Sequence, residues 1–202
     1  MGSVLGRISV ETPKYQVLSS CAEYEIRHYA PSVVAEVTYT PSQYNGNRDG
    51  GFRALADYIG ALGNPQNARP EKIAMTAPVI TKSEKIAMTA PVITQGPTGG
   101  GEGEDEAVTM RFVLPAKYGR AEEAPRPLDE RVVLRDEEGR KYGVVRFGGV
   151  ATEGVAREKA ERLREWLERD GHKVAGEWLL ARYNPPWTVP PLRTNEVMIP
   201  IE

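Results

Sequence analysis

The hydrophobic period of the chain changes from two to about 3.6 and back, twice, and that double change restricts the folds open to it. Val33, Ala35, Val37 and Tyr39 alternate with Val34, Glu36 and Thr38, as in a strand with one buried face; Tyr24, Ile26 and His28 share one face of the strand before it. Phe52, Leu55, Ile59 and Leu62 then fall at helical spacing, with Asp49 as candidate N-cap and Gly63-Asn64-Pro65 as the stop. Val108, Met110, Phe112 and Leu114 return to alternation. In the second half, residues 131–135 and 141–147 read as a hairpin joined by Asp136-Glu137-Glu138-Gly139, and 152–170 as a helix closed by Gly171. Ala156, Ala160, Leu163 and Leu167 form its apolar stripe, while Glu158 with Arg162 and Glu165 with Arg169 are candidate surface pairs. Residues 177–183 and 196–201 supply two closing strands, the last marked as an edge by Pro200. The pattern predicts an α+β fold: a pseudo-duplicated antiparallel sheet, curved or barrel-like, flanked by two helices. It forms one domain over residues 1–202, with halves of about 10–115 and 128–202. A groove between the halves is the natural place for a ligand.

The segment EKIAMTAPVIT occurs at residues 71–81 and again, letter for letter, at 84–94, with only Lys82 and Ser83 between. Nothing else continues that period, so a solenoid is excluded and a short tandem duplication within one fold is expected. One copy fills a place in the sheet; both cannot occupy it. Met75 and Met88 read as core filler, and Pro78 and Pro91 as bulge or strand-edge markers. Residues 95–107, QGPTGGGEGEDEA, lack an apolar face and are expected to form a mobile loop. No Lys-Ser or Lys-Thr follows the glycines, so the run is not a phosphate loop.

Charge and cysteine usage narrow the function. The 202 residues carry 26 Lys and Arg against 28 Asp and Glu, a formal net charge of −2, which argues against nucleic acid as a partner. Cys21 is the single cysteine, so no internal disulfide forms, as suits a reducing compartment. No run approaches a membrane span and the start has no signal-peptide core, so an intracellular, cytoplasmic protein is expected. Gly2 is a poor myristoylation candidate, because Gly6 stands where that pattern needs Ser or Thr. Catalysis is not indicated: there are two histidines, His28 and His172, and no H-E-x-x-H, C-x-x-C or G-x-S-x-G.

Met-Thr-Ala-Pro-Val, together with Val10-Glu11-Thr12-Pro13-Lys14-Tyr15, Tyr24-Glu25-Ile26-Arg27-His28-Tyr29, Phe147-Gly148-Gly149, Arg182-Tyr183-Asn184-Pro185-Pro186 and Thr194-Asn195-Glu196-Val197, resembles the SOUL family of heme-binding proteins in content and order. The lysine-rich motif and the ending Asn195-Glu196-Val197-Met198-Ile199-Pro200 look most like its plant cytosolic branch. The resemblance implies a distorted β-barrel with two helices, non-covalent binding of heme or a related porphyrin, and a carrier, buffer or sensor role; protein partners are not implied. His28 then becomes the candidate axial ligand, since neutral imidazole suits iron and the position matches one that relatives use. A second implied mode needs no histidine: a groove between the first helix and the loop before the last strand, with Arg53, Tyr58, Trp187 and Arg193 as propionate partner, ring contacts and rim cation. Asp49 and Asp57 would give that groove an acidic lip. The other class of reading is a protein-interaction or scaffold module that keeps the fold without useful heme affinity.

Overall fold

The computed structural model describes residues 6–85 and 106–202 and contains one sheet of nine strands, every pair antiparallel. In chain order these are β1 (Tyr15–Ser20), β2 (Glu25–Tyr29), β3 (Ser32–Tyr39), β4 (Val79–Lys85), β5 (Glu106–Val113), β6 (Val133–Glu137), β7 (Arg140–Phe147), β8 (Leu179–Arg182) and β9 (Asn195–Ile201). Helix α1 (Phe52–Ile59) follows β3 and α2 (Glu153–Arg169) follows β7. The spatial order is β1-β2-β7-β9-β8-β4-β5-β3-β6. Cross-strand neighbours share a face. The pairs Val79↔Phe112 and Thr81↔Leu180 therefore put the α1 core, with Val33, Val37, Leu55, Ile59, Met110 and Phe112, on the same side as the α2 core, with Ile26, Leu163, Leu167, Leu180 and Val197. The opposite side is concave, because residues of β2 and β7 and residues of β3 and β6 line one cleft there. The sheet is thus a curled half-barrel with both helices on its convex face.

The expected hairpin at residues 136–139 does not form, and its failure organises the molecule. β6 pairs with β3 through Ser32↔Glu137 to Glu36↔Val133, while β7 pairs with β2 through Glu25↔Val144 to Tyr29↔Arg140. The links Ala30-Pro31 and Glu138-Gly139 therefore pass each other where the two margins of the sheet meet. Gly139 eases that close approach, since a Cβ there would stand a tight 3.0 Å from the Tyr29 carbonyl oxygen. Each half thus lends strands to the other: the β1–β2 pair of the first half lies on β7 of the second, and β6 of the second lies on β3 of the first. β4 and β8 join the halves at the middle.

Other expectations shift in detail. Pro200 lies in β9, which is interior, between β7 and β8. It is tolerated because the side of the backbone that lacks an N–H faces Ala175, beyond the start of β8, and the Pro200 carbonyl accepts the Ala175 N–H at 2.8 Å. The N-cap of α1 is Gly51, and the helix ends at Gly60 with φ 76°, so Leu62 falls outside it and is exposed. Helix α2 begins as expected, with the Thr152 hydroxyl accepting the Val155 N–H. Arg169 pairs with Asp170 rather than Glu165. The first copy of the repeat holds the structural place: Ile73 is buried, the Thr76 hydroxyl donates to the Val113 carbonyl, Met75 packs on the α1 core, and Val79 to Thr81 open β4. Of the second copy, Glu84 and Lys85 close β4, and 86–94 lie outside the described residues. Of the expected loop 95–107, residues through 105 also lie outside them, and Glu106 and Ala107 belong to β5.

Candidate functional site

The residues singled out from the sequence fall into two places. His28 is exposed on β2, opposite Lys141 of β7, which in turn pairs with Ile201 at the far end of β9. The loop carrying Trp187 and Arg193 enters β9 at Asn195, six residues away, or about 20 Å at strand rise. Helix α1 packs on β3 and β5, which stand six and five places from β2 in the strand order. His28 therefore does not share a site with the other four.

Of those four, Arg53 stands in the first turn of α1, Tyr58 near its end, and Trp187 and Arg193 in the 183–194 loop. Asp49 accepts from the Arg182 guanidinium at 2.5 Å, tying the turn before α1 to the end of β8. The loop is closed at its neck by Tyr183 N–H to Thr194 O at 3.1 Å and Thr194 N–H to Asn184 Oδ1 at 2.7 Å. Arg193 braces it from within, donating to the carbonyls of Thr188 at 2.9 Å and Pro186 at 2.6 Å, so its guanidinium holds the loop's shape. Pro190 O accepts the Gly149 N–H, which binds the β7–α2 connection to the same loop. Outward from this frame stand Trp187, 68% exposed, with Val189, Leu192 and Val150.

On the helix side, Phe52 is partly exposed and the Arg53 side chain is 85% exposed, with Asp57 at 3.8 Å. Tyr58 points the other way: it is buried and its hydroxyl donates to Pro125 O at 2.8 Å, pinning α1 to the segment before β6. Burial pushes its phenol pKa up, so it stays a neutral donor. The acidic lip expected from Asp49 and Asp57 is neutralised, the first by Arg182 and the second by Arg53. Exposed apolar side chains thus stand on the 183–194 loop and at the start of α1, where the mostly exposed Arg53 guanidinium, paired with Asp57, is the cation.

Sequence reasoning missed the concave face. There Arg27 and Glu196 form a buried pair at 2.9 Å, each side chain 4% exposed. The Tyr183 hydroxyl donates to the other Glu196 oxygen at 2.7 Å, and burial first, then the Glu196 charge, raise its pKa. The available signal was the alternation in β2: if Ile26 faces one core, Arg27 and Tyr29 must face the other side.

A family model described as SOUL heme-binding protein matches residues 10–200. The chain belongs to the SOUL heme-binding family. No curated protein sequence matches it. Among solved structures, the C-terminal domain of EcmrR is similar with a TM-score of 0.57 at 11% identity, over 93% of this chain and 98% of that one. A hydrolase from Listeria innocua gives 0.55 at 11% identity, over 92% and 94%, and an uncharacterized conserved protein from the same organism 0.56 at 12%, over 89% and 92%. At such identities the likeness is one of fold. Membership of the SOUL family supports heme binding; among the described residues no helix is long and apolar enough to cross a membrane.

Proposed function

We propose that this SOUL-family chain binds heme or a related porphyrin non-covalently and without catalysis, as a cytosolic carrier, buffer or sensor of the plant type. The match over residues 10–200 carries this reading. The ring lies on the shelf of Phe52, Trp187, Val189 and Leu192, and Arg53 meets a propionate once it swings from Asp57. Tyr58 and Arg193 serve as positioning residues, the first fixing α1 and the second the loop. His28 belongs to the other binding mode, in which its exposed imidazole ligates iron at β2.

Hemin titration of the purified chain tests both. A saturable Soret change at one ring per chain is expected, weakened about tenfold by Trp187→Ala, the size of one stacking contact of about 1–1.5 kcal/mol, and unchanged in position by His28→Ala. A Soret shift in His28→Ala with no effect of Trp187→Ala moves the ring to β2. Absence of a saturable change rejects the proposal and leaves a protein-interaction module built on the same fold.

A further inference from the structure

The two margins of the sheet are unlike. At one end β6 carries Arg135, Asp136 and Glu137: Arg135 pairs with Glu36, Glu137 pairs with Arg111 at 3.1 Å, and Asp136 Oδ1 accepts the Ala121 N–H at 2.7 Å. Charge of this kind guards an edge strand against pairing with another chain. At the other end β1 reads Tyr-Gln-Val-Leu-Ser-Ser, with no charge and no proline, and all six residues are exposed. Tyr15, Val17 and Leu18 are 44% to 48% open to solvent. A bulge between Val17 and Ser19 bends this margin but adds no charge to it.

The free side of β1 is a template for a further strand. The Ala30 N–H donates to the Lys14 carbonyl at 3.0 Å, so by antiparallel alternation the N–H and C=O of Tyr15 and Val17 point away from β2. Charges flank the strand at its two ends, Lys14 before it and Glu23 after it, both exposed and neither in an ion pair among the described residues. Arg169, which feels the Glu23 charge, is engaged by Asp170 at 2.8 Å. On β2, Glu25 and Arg27 hold each other at 2.7 Å. The edge is thus positive at its head, neutral along its length and negative past its tail, which makes it complementary to itself when two such strands run antiparallel. A partner strand bearing a single sign of charge would leave one end unmatched.

We infer that β1 is the contact surface of a homodimer: two copies pair β1 to β1 about a two-fold axis, join their sheets into one, and bring Lys14 of each copy toward Glu23 of the other. A six-residue edge is short of the area of a permanent dimer, so association depends on concentration. The contact requires no ligand.

Sedimentation equilibrium of the purified chain, from low micromolar to submillimolar concentration, reads the association. A monomer–dimer equilibrium is expected. Val17→Lys sets like charges against each other in the middle of the paired strands and should abolish the dimer, with the far-ultraviolet spectrum unchanged because Val17 lies on the open margin. Lys14→Glu and Glu23→Lys should each weaken association roughly tenfold, two exposed ion pairs being turned into two repulsions. The double variant carrying both reversals should recover the native affinity. The reversals lie outside the strand and keep the test decisive should Val17→Lys unfold. A monomer at every concentration overturns the proposal, as does a dimer that persists in Val17→Lys or is indifferent to either reversal. A double variant that fails to recover what the single ones lose overturns it too. So does assembly beyond the dimer, since a two-fold contact closes on itself.

Discussion

The two halves carry equivalent helices in unequal form. Helix α2 runs 17 residues, caps itself with Thr152, and buries Ala156, Ala160, Leu163 and Leu167 as one stripe. Helix α1 runs 8 residues and is completed by its surroundings: Asn67 donates to Tyr58 O at 3.0 Å and Glu71 O at 2.8 Å and accepts the Glu71 N–H at 3.0 Å, while Tyr58 reaches Pro125. The seams differ too. Arg27–Glu196, spanning β2 and β9, is buried, whereas in Glu36–Arg135, spanning β3 and β6, the arginine side chain is 58% exposed. The α2 half is stabilised by its own packing. The α1 half is held by cross-links that leave Phe52 and Arg53 turned outward, while Trp187, Val189 and Leu192 of the proposed shelf come from the other half.

Removing a seam arginine should separate the halves most sharply. Arg27→Met strands Glu196 in the interior and is expected to cost about 3–5 kcal/mol, whereas Arg135→Met, at a wet pair, should cost less than about 1 kcal/mol. Urea unfolding of both variants checks this, and equal losses would show that the seams are equivalent. Next in size is the contrast between helices. Asn67→Ala removes the bond to Tyr58 O at the end of α1 together with those that hold the 67–71 turn against it, and should cost about 2–3 kcal/mol, while Thr152→Ala removes one cap for about 1 kcal/mol. If Thr152→Ala proved the worse in thermal melts, the picture of α1 as the dependent helix would fail. Smallest is deletion of residues 71–83, which leaves an identical copy to take the seat now held by Ile73 to Thr81. Shortening the connection changes closure entropy only logarithmically, so the melting midpoint should stay within ~2–4 °C. An aggregated product would mean that the copies are not interchangeable, the continuation of β4 beyond Thr81 being the place where they differ.

Much of this architecture was legible because local period reports local structure. The α2 stripe, its Thr152 start and the alternation of Val108, Met110 and Phe112 all depend on which residues are near in sequence. The exchange of β2 and β6 was not legible. A short polar link such as Glu138-Gly139 serves a hairpin or a crossing equally well, and the choice lies in long-range pairing. Pro200 misled for a related reason: a missing N–H excludes one hydrogen bond, and whether that bond is needed depends on how far β8 extends. The shelf was partly legible, since Trp187 and Arg53 were named, but the inward turn of Tyr58 and the bracing role of Arg193 depend on carbonyls distant in sequence or on loop closure. The concave face stayed hidden because its charged residues are paired across strands, and a buried Arg27 looks like any surface arginine until Glu196 is beside it.

The crossing at Gly139 has a mechanical consequence. Because each half has given a strand to the other, neither can be pulled away as an intact body; separation requires unzipping both borrowed ladders along with the central β4–β8 seam. The molecule is clasped like two folded hands. A backbone cut between the halves would leave two pieces still interlaced, and their association would be lost only with the fold itself.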